Sequence, residues 1–421
     1  MKKLSVIAFA SIFTLEVVVA QRIDMQHVTA GIRSYGGYMF SNRVELETHG
    51  YSSLDLYAGL RTLPSDDDIY ALSYGYPEYG IGTCVCLSSM IDVPGESYFG
   101  NYYSMYGYFN RPFIRKGRFT AAYGIEMGMA YNPVRYDPVY NPLNLYVSSV
   151  LMVHAALSFH SDWRIGDNMT AGLSVRAKHY SNGRTALPNL GLNMLEAGVS
   201  LRYAPSNSEA RRSMKVDEPF DKRVNFHIAA AGGAHCTKSD WTRFNVREMA
   251  PGHKSTVFKA YPRFSISADM LYRYSIKAAS GISLEMFYSP DVDILERNDR
   301  YVYGDMEVDS APTYSPVSAG VALAQEFYYR NFGLFFTLGA YLSEPAMGLS
   351  DDVSWNCITV KSNWVHSSSL HSNVATYLVV NTSFSKSNDS SKFVTWVDVF
   401  NYSCTFNEFV VTDFHFFTCN T

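Results

Sequence analysis

Lys116-Gly117-Arg118-Phe119-Thr120-Ala121-Ala122-Tyr123-Gly124-Ile125-Glu126-Met127-Gly128-Met129-Ala130-Tyr131 is the stretch on which the fold turns. From Ala121 onward the odd positions are apolar or large, while Ala122, Gly124, Glu126, Gly128 and Ala130 on the even positions are small or polar. A period of two sustained over this length predicts a β-strand with one apolar face. Large residues on one side and small ones on the other suit a barrel wall with lipid outside and a narrow lumen inside. Phe332, Leu334, Phe336, Leu338, Ala340 and Leu342 repeat the theme against Gly333, Thr337, Gly339 and Tyr341.

Working outward from these runs, alternating segments of similar length recur between clusters of Gly, Pro, Asn, Asp and Ser. Strands are predicted at 25–40, 52–61, 78–89, 100–110, 116–131, 149–160, 168–181, 192–204, 222–235, 257–274, 277–288, 315–329 and 331–342. A soluble β-sandwich alternates too, and the pattern alone leaves it open. Composition favours the membrane: charged residues are 18% of the chain, against roughly 25% in soluble domains, and there are 32 tyrosines. A mean hydropathy of -0.10 fits alternation better than long apolar runs. Lys2 and Lys3 precede an apolar run from Leu4 to Val19, with small residues Val18 and Ala20 before Gln21. That pattern predicts a secretory signal peptide over residues 1–20. No later stretch approaches the eighteen apolar residues of a membrane helix.

The expected fold is therefore all-β, an antiparallel transmembrane β-barrel of the outer-membrane type. Thirteen strands are an odd number, and such single-chain barrels have even ones, so about 14 strands are expected, with 12 as the alternative. The barrel is assigned residues 21–345, and 346–421 form an atypical C-terminal segment. All 28 glycines lie at or before Gly348, the last proline is Pro345 and the last arginine is Arg330. A closing strand is owed by this region, with Ser372–Phe384 as its candidate; a non-native or disordered tail is the competing reading. Short gaps at 111–115, 161–167 and 275–276 alternate with long ones at 132–148, 236–256 and 289–313. The long segments 62–77 and 205–221 fall on the short-turn side and strain that scheme. A net charge of -4 gives no sign of nucleic-acid binding. The six cysteines include no CxxC and no paired Cys/His spacing, so neither a metal site nor any cofactor is expected.

Chemistry concentrates in His179-Tyr180-Ser181-Asn182-Gly183-Arg184-Thr185-Ala186-Leu187-Pro188-Asn189-Leu190-Gly191-Leu192-Asn193. In the strand before this turn, Met169, Ala171, Leu173, Val175 and Ala177 form the apolar face, and His179 and Ser181 continue it. In the strand after it, Asn193 shares the parity of Leu195, Ala197, Val199, Leu201 and Tyr203, whereas Glu196 has the lumenal parity. His179, Ser181 and Asn193 thus look outward near the membrane rim, where polar groups are poorly placed unless something uses them. A base two residues from a hydroxyl, an orienting partner and nearby oxyanion donors form a nucleophilic constellation. Asn182, Gly183 and Asn189 lie in the turn as candidate donors. Glu126, His154, His160 and His227 read as lumen or rim residues instead.

The chain resembles the outer-membrane lipid A 3-O-deacylase (PagL) family and its acyloxyacyl-hydrolase-like relatives, in a Bacteroidetes-type branch. His179, Ser181, Asn182 and the Pro188-Asn189-Leu190-Gly191 run carry the resemblance, as does the Tyr136-Asp137-Pro138…Asn141-Pro142 loop. It implies His179 as general base, Ser181 as nucleophile, and Asn189 with the backbone N–H groups of Asn182 and Gly183 as oxyanion hole. One position departs: the family places a glutamate fourteen residues after its histidine, and Asn193 stands there. The expectation is an outer-membrane esterase that removes an acyl chain from lipid A or lipopolysaccharide in the outer leaflet, without a cofactor. A non-catalytic barrel or small porin, a phospholipase-like hydrolase and a homodimeric state stay open.

Overall fold

The computed structural model describes residues 26–41, 46–64, 68–204, 220–243, 258–304, 312–330, 332–343 and 346, with the backbone of four further strands beyond 355. The expected signal peptide lies outside the described residues. Strands β1 (Val28–Phe40), β2 (Gly50–Arg61), β3 (Glu78–Cys86), β4 (Tyr102–Lys116), β5 (Phe119–Tyr131), β6 (Leu151–Arg164), β7 (Met169–Ser181) and β8 (Leu192–Tyr203) form a closed antiparallel barrel. Closure runs through β8 and β1, in register from Ala30↔Tyr203 to Phe40↔Asn193.

Eight strands, not 14 or 12, therefore close the barrel. Alternation told each strand which face meets lipid, but it did not tell β8 to turn back to β1. The physical reason for closure at eight is twofold. Pairing β1 with β8 satisfies both backbone edges, which hydrocarbon would otherwise leave unbonded. An eight-stranded lumen is also just wide enough to be filled by side chains, and the inward residues here are of that kind.

Inside, Arg176 is the hub: it pairs with Asp55, with Glu126 at 3.0 Å and with Glu196 at 2.6 Å. Arg33 meets Glu126 at 3.1 Å, Lys178 pairs with Glu196, and Tyr106 donates to Asp55 at 2.7 Å. Three cations and three carboxylates balance, as buried charges must. Outside, Leu173, Val175, Leu157 and Val199 stand 49–65% exposed on the same strands. A polar interior within an apolar exterior inverts the soluble arrangement and suits lipid.

The chain then enters a second sheet after a connection at 204–222, whose charged middle had strained the loop scheme. β9 (Arg223–His235), β10 (Tyr261–Arg273), β11 (Ala278–Tyr288), β12 (Val317–Tyr329) and β13 (Phe332–Ser343) continue the alternation predicted for them. They are followed by β14 (Asn356–His366), β15 (Val374–Lys386), β16 (Phe393–Phe400) and the short β17 (Ser403–Thr405). The candidate strand Ser372–Phe384 falls on β15, three further strands accompany it, and β17 pairs with β9 at the other edge of the sheet.

Long connections lie at one end of both sheets and short turns at the other. The exceptions are the 204–222 connection between the two sheets and 62–77; the latter carries helix α1 (Ile69–Ser73), capped by Asp68. This helical segment docks on the short turns of the second sheet. Lys277 Nζ donates to the Ser73 carbonyl at 3.1 Å, Arg273 Nη2 to Tyr70 Oη at 3.4 Å, and Arg330 Nε to Asp68 at 2.6 Å. The Tyr329 ring packs edge-on against Tyr70, Tyr74, Tyr79 and Phe109.

Candidate active site

β7 ends and β8 begins on either side of the 182–191 turn, and their register makes His179 and Asn193 direct partners. Alternation puts both side chains on the outer wall, and His179 Nδ1 lies 2.8 Å from Asn193 Oδ1. A carbonyl oxygen only accepts, so on this amide assignment Nδ1 carries the proton and Nε2 presents its lone pair. Nε2 is buried and has no hydrogen-bond partner among the described residues. Ser181, two residues on and on the same face, is buried at the end of the strand.

Gly191 explains why the imidazole sits as it does. Its φ is +66°, and a Cβ there would come within 2.8 Å of His179 Cε1 and 3.3 Å of Nε2. The ring occupies the space that the missing side chain leaves.

The turn folds back on itself. The Asn182 N–H donates to Asn189 Oδ1 at 3.2 Å, which ties the two ends together. Asn182 Nδ2 donates to Ser148 Oγ at 2.8 Å and to the Ala186 carbonyl at 3.0 Å. Thr185 Oγ1 donates to the Asn182 carbonyl at 2.9 Å, and the Leu190 N–H reaches the Leu145 carbonyl at 3.1 Å. Gly183 and Arg184 both have positive φ, +62° and +55°. Of the expected oxyanion donors, the Asn182 N–H is therefore already engaged; the Gly183 N–H and the Asn189 amide N–H groups remain from that set.

Glu196 and Glu126 both belong to the lumenal ion network, on the opposite side of the wall from His179, as parity predicts. His154 stacks on Tyr106 inside the barrel, and His160 Nε2 meets Ser158 Oγ at 2.8 Å. Ser148, Leu145 and Gly191 escaped the sequence reading as site residues, as did Cys236. The N–H of Cys236, just past β9, donates to the Arg184 carbonyl at 2.9 Å. Burial pushes its thiol up to about 11, against the pull of Arg184. Only the Pro-Asn-Leu-Gly run hinted at Gly191; nothing local marks the other three. Among the described residues no three His, Cys, Asp or Glu side chains gather as a metal site.

The fold is that of an outer-membrane β-barrel, and its β7–β8 hairpin pairs His179 with Asn193 two residues from Ser181. Two family descriptions match the sequence: lipid A 3-O-deacylase (PagL) over residues 106–202, and the acyloxyacyl hydrolase C-terminal domain over 224–384. Residues 106–202 thus belong with the lipid A 3-O-deacylase (PagL) family and 224–384 with its acyloxyacyl hydrolase C-terminal domain, both of the bacterial outer membrane. Among solved structures, Neisserial surface protein A is 10% identical, with 42% of this chain and 96% of that one covered and a TM-score of 0.30. The outer membrane enzyme PagL is 16% identical, with 41% and 99% covered and a TM-score of 0.28. No curated protein sequence matches.

Proposed function

We propose that this protein is an esterase that cleaves an ester-linked acyl chain from lipid A, with Ser181 as nucleophile and His179 as general base. One observation carries the assignment. Asn193 fixes His179 through Nδ1 and leaves Nε2 buried, without a hydrogen-bond partner among the described residues, and on the strand face of Ser181. In the first step Ser181 Oγ attacks the ester carbonyl carbon while Nε2 takes its proton. The resulting oxyanion would be held by the Gly183 N–H and the Asn189 amide. Collapse breaks the bond to the sugar-side oxygen, which leaves as an alcohol with the proton from Nε2. A water then delivers its proton to Nε2 and its oxygen to the acyl-enzyme, and the fatty acid departs while Ser181 regains its proton.

The long-connection end of the barrel faces outward in this reading, so the acyl chain reaches the site sideways from the outer leaflet. An amide at position 193 stabilises the imidazolium less than a carboxylate would, so slow turnover is expected. The side chains filling the first lumen count against a conducting pore.

Fatty acid release from lipid A by the purified protein in detergent tests the proposal. Wild type should release it without added calcium, and His179→Ala should not. Equal release by both would overturn the assignment of the base. Release from diacyl phospholipid but not lipid A would favour the phospholipase reading.

A further inference from the structure

Cys236 lies in the second sheet's first long connection, between β9 and helix α2 (Lys238–Thr242); beside the Phe258 carbonyl, 3.8 Å from its thiol, its bonds go to the 182–191 turn of the barrel. Its N–H donates to the Arg184 carbonyl at 2.9 Å and its thiol to the Thr185 carbonyl at 3.4 Å. Arg184 is itself buried, and it holds a left-handed backbone that a non-glycine residue adopts only when its surroundings enforce it. Thr185 in turn donates to the Asn182 carbonyl, and Asn182 to Asn189 and Ser148. A continuous chain of hydrogen bonds therefore runs from the second sheet into the proposed oxyanion residues. At the opposite end of the molecule, Arg330, Lys277, Arg273 and Tyr329 fasten the same sheet to α1 and its flanks. The sheet is thus tied to the barrel at both of its ends.

We infer that the second sheet is a working part of the active site, with Cys236 as the positioning residue through which it sets the geometry of the 182–190 turn. The inference rests on the esterase reading for its kinetic consequence, but not for its structural one. It assigns the C-terminal half of the chain a role in the chemistry, although the base and nucleophile come from the N-terminal barrel alone.

The test uses the full-length protein. Cys236→Pro removes the N–H donor and is compatible with the extended residue before it, whereas Cys236→Ser keeps both donors. Cys236→Pro should lower kcat on lipid A roughly 10- to 100-fold, the scale of a sub-ångström to ångström misplacement, with KM nearly unchanged. Amide hydrogen exchange over 183–190 should quicken in parallel, and Cys236→Ser should restore both readouts. If Cys236→Pro does not fold, Thr237→Ala serves instead. It removes the Oγ1 cap that receives the Asp240 N–H at 3.3 Å, and should produce a smaller change in the same direction. Wild-type kcat in a folded Cys236→Pro protein, or loosened exchange with unchanged kcat, would overturn the inference. So would a Cys236→Ser protein as impaired as Cys236→Pro. A wild type without esterase activity would defeat the proposed reaction, and the exchange comparison would still decide whether Cys236 braces the turn.

Discussion

Replacing Gly191 with alanine tests how tightly the base is placed. The new Cβ would stand 2.8 Å from His179 Cε1, where ordinary contact begins near 3.4 Å, so the ring must retreat by about 0.6 Å. The ring moves more readily than its surroundings, because the Tyr180 carbonyl on the other side of the Cβ, at 3.1 Å, belongs to the strand backbone. Misplacement by 1 Å typically costs about 100-fold in rate, so a loss of roughly 10- to 30-fold is expected, or about 1.4–2 kcal/mol of transition-state stabilisation. The left-handed backbone at Gly191 adds about 1–2 kcal/mol of strain for alanine, which weakens the fold without abolishing it. The assay is the initial rate of fatty acid release from lipid A, with the heat-dependent gel shift of a folded barrel as control. A folded Gly191→Ala protein at the wild-type rate would refute the idea that the imidazole position limits the reaction.

Three further outcomes follow from particular contacts. Asn193→Glu should raise kcat, because a carboxylate accepting from Nδ1 makes a charge-assisted bond about twice as strong as the neutral one; a rate at or below wild type would show that the amide is the better partner here. Arg176→Met leaves Asp55, Glu126 and Glu196 without their shared cation. It should cost about 3–5 kcal/mol, read as a lower urea midpoint for loss of the folded gel band; an unchanged midpoint would contradict the balanced-lumen account. Finally, the Cys236 thiol, pushed up to about 11 by burial, should react slowly with maleimide at neutral pH in the folded protein. An unfolded chain ionises its thiol first, so this group favours the fold below the ordinary thiol range and loses that contribution as pH rises toward about 11. Folded and unfolded proteins labelling at equal rates would rule this out.

Strand positions were legible because each strand in a lipid-facing wall must alternate, and β1 to β13 all carry that signature within a few residues. The closure was not. Alternation fixes which face a residue takes, whereas the choice of β1 as partner for β8 depends on register between residues more than 150 positions apart. In the tail, where no glycine follows Gly348 and no proline follows Pro345, β-branched and aromatic residues pair as β14, β15 and β16. At the site, parity alone brought His179 and Asn193 together and sent Glu196 inside. Ser148, Leu145 and Cys236 stayed invisible because their roles arise from approach across loops, not from spacing along one strand. Engagement of the Asn182 N–H by Asn189 was hidden for the same reason.

The most direct test of the central claim is the mass spectrum of lipid A from cells carrying the wild-type protein or Ser181→Ala at equal levels in the outer membrane. The account predicts lipid A lighter by one ester-linked acyl chain with wild type, and fully acylated lipid A with Ser181→Ala. Identical acylation in the two would contradict it.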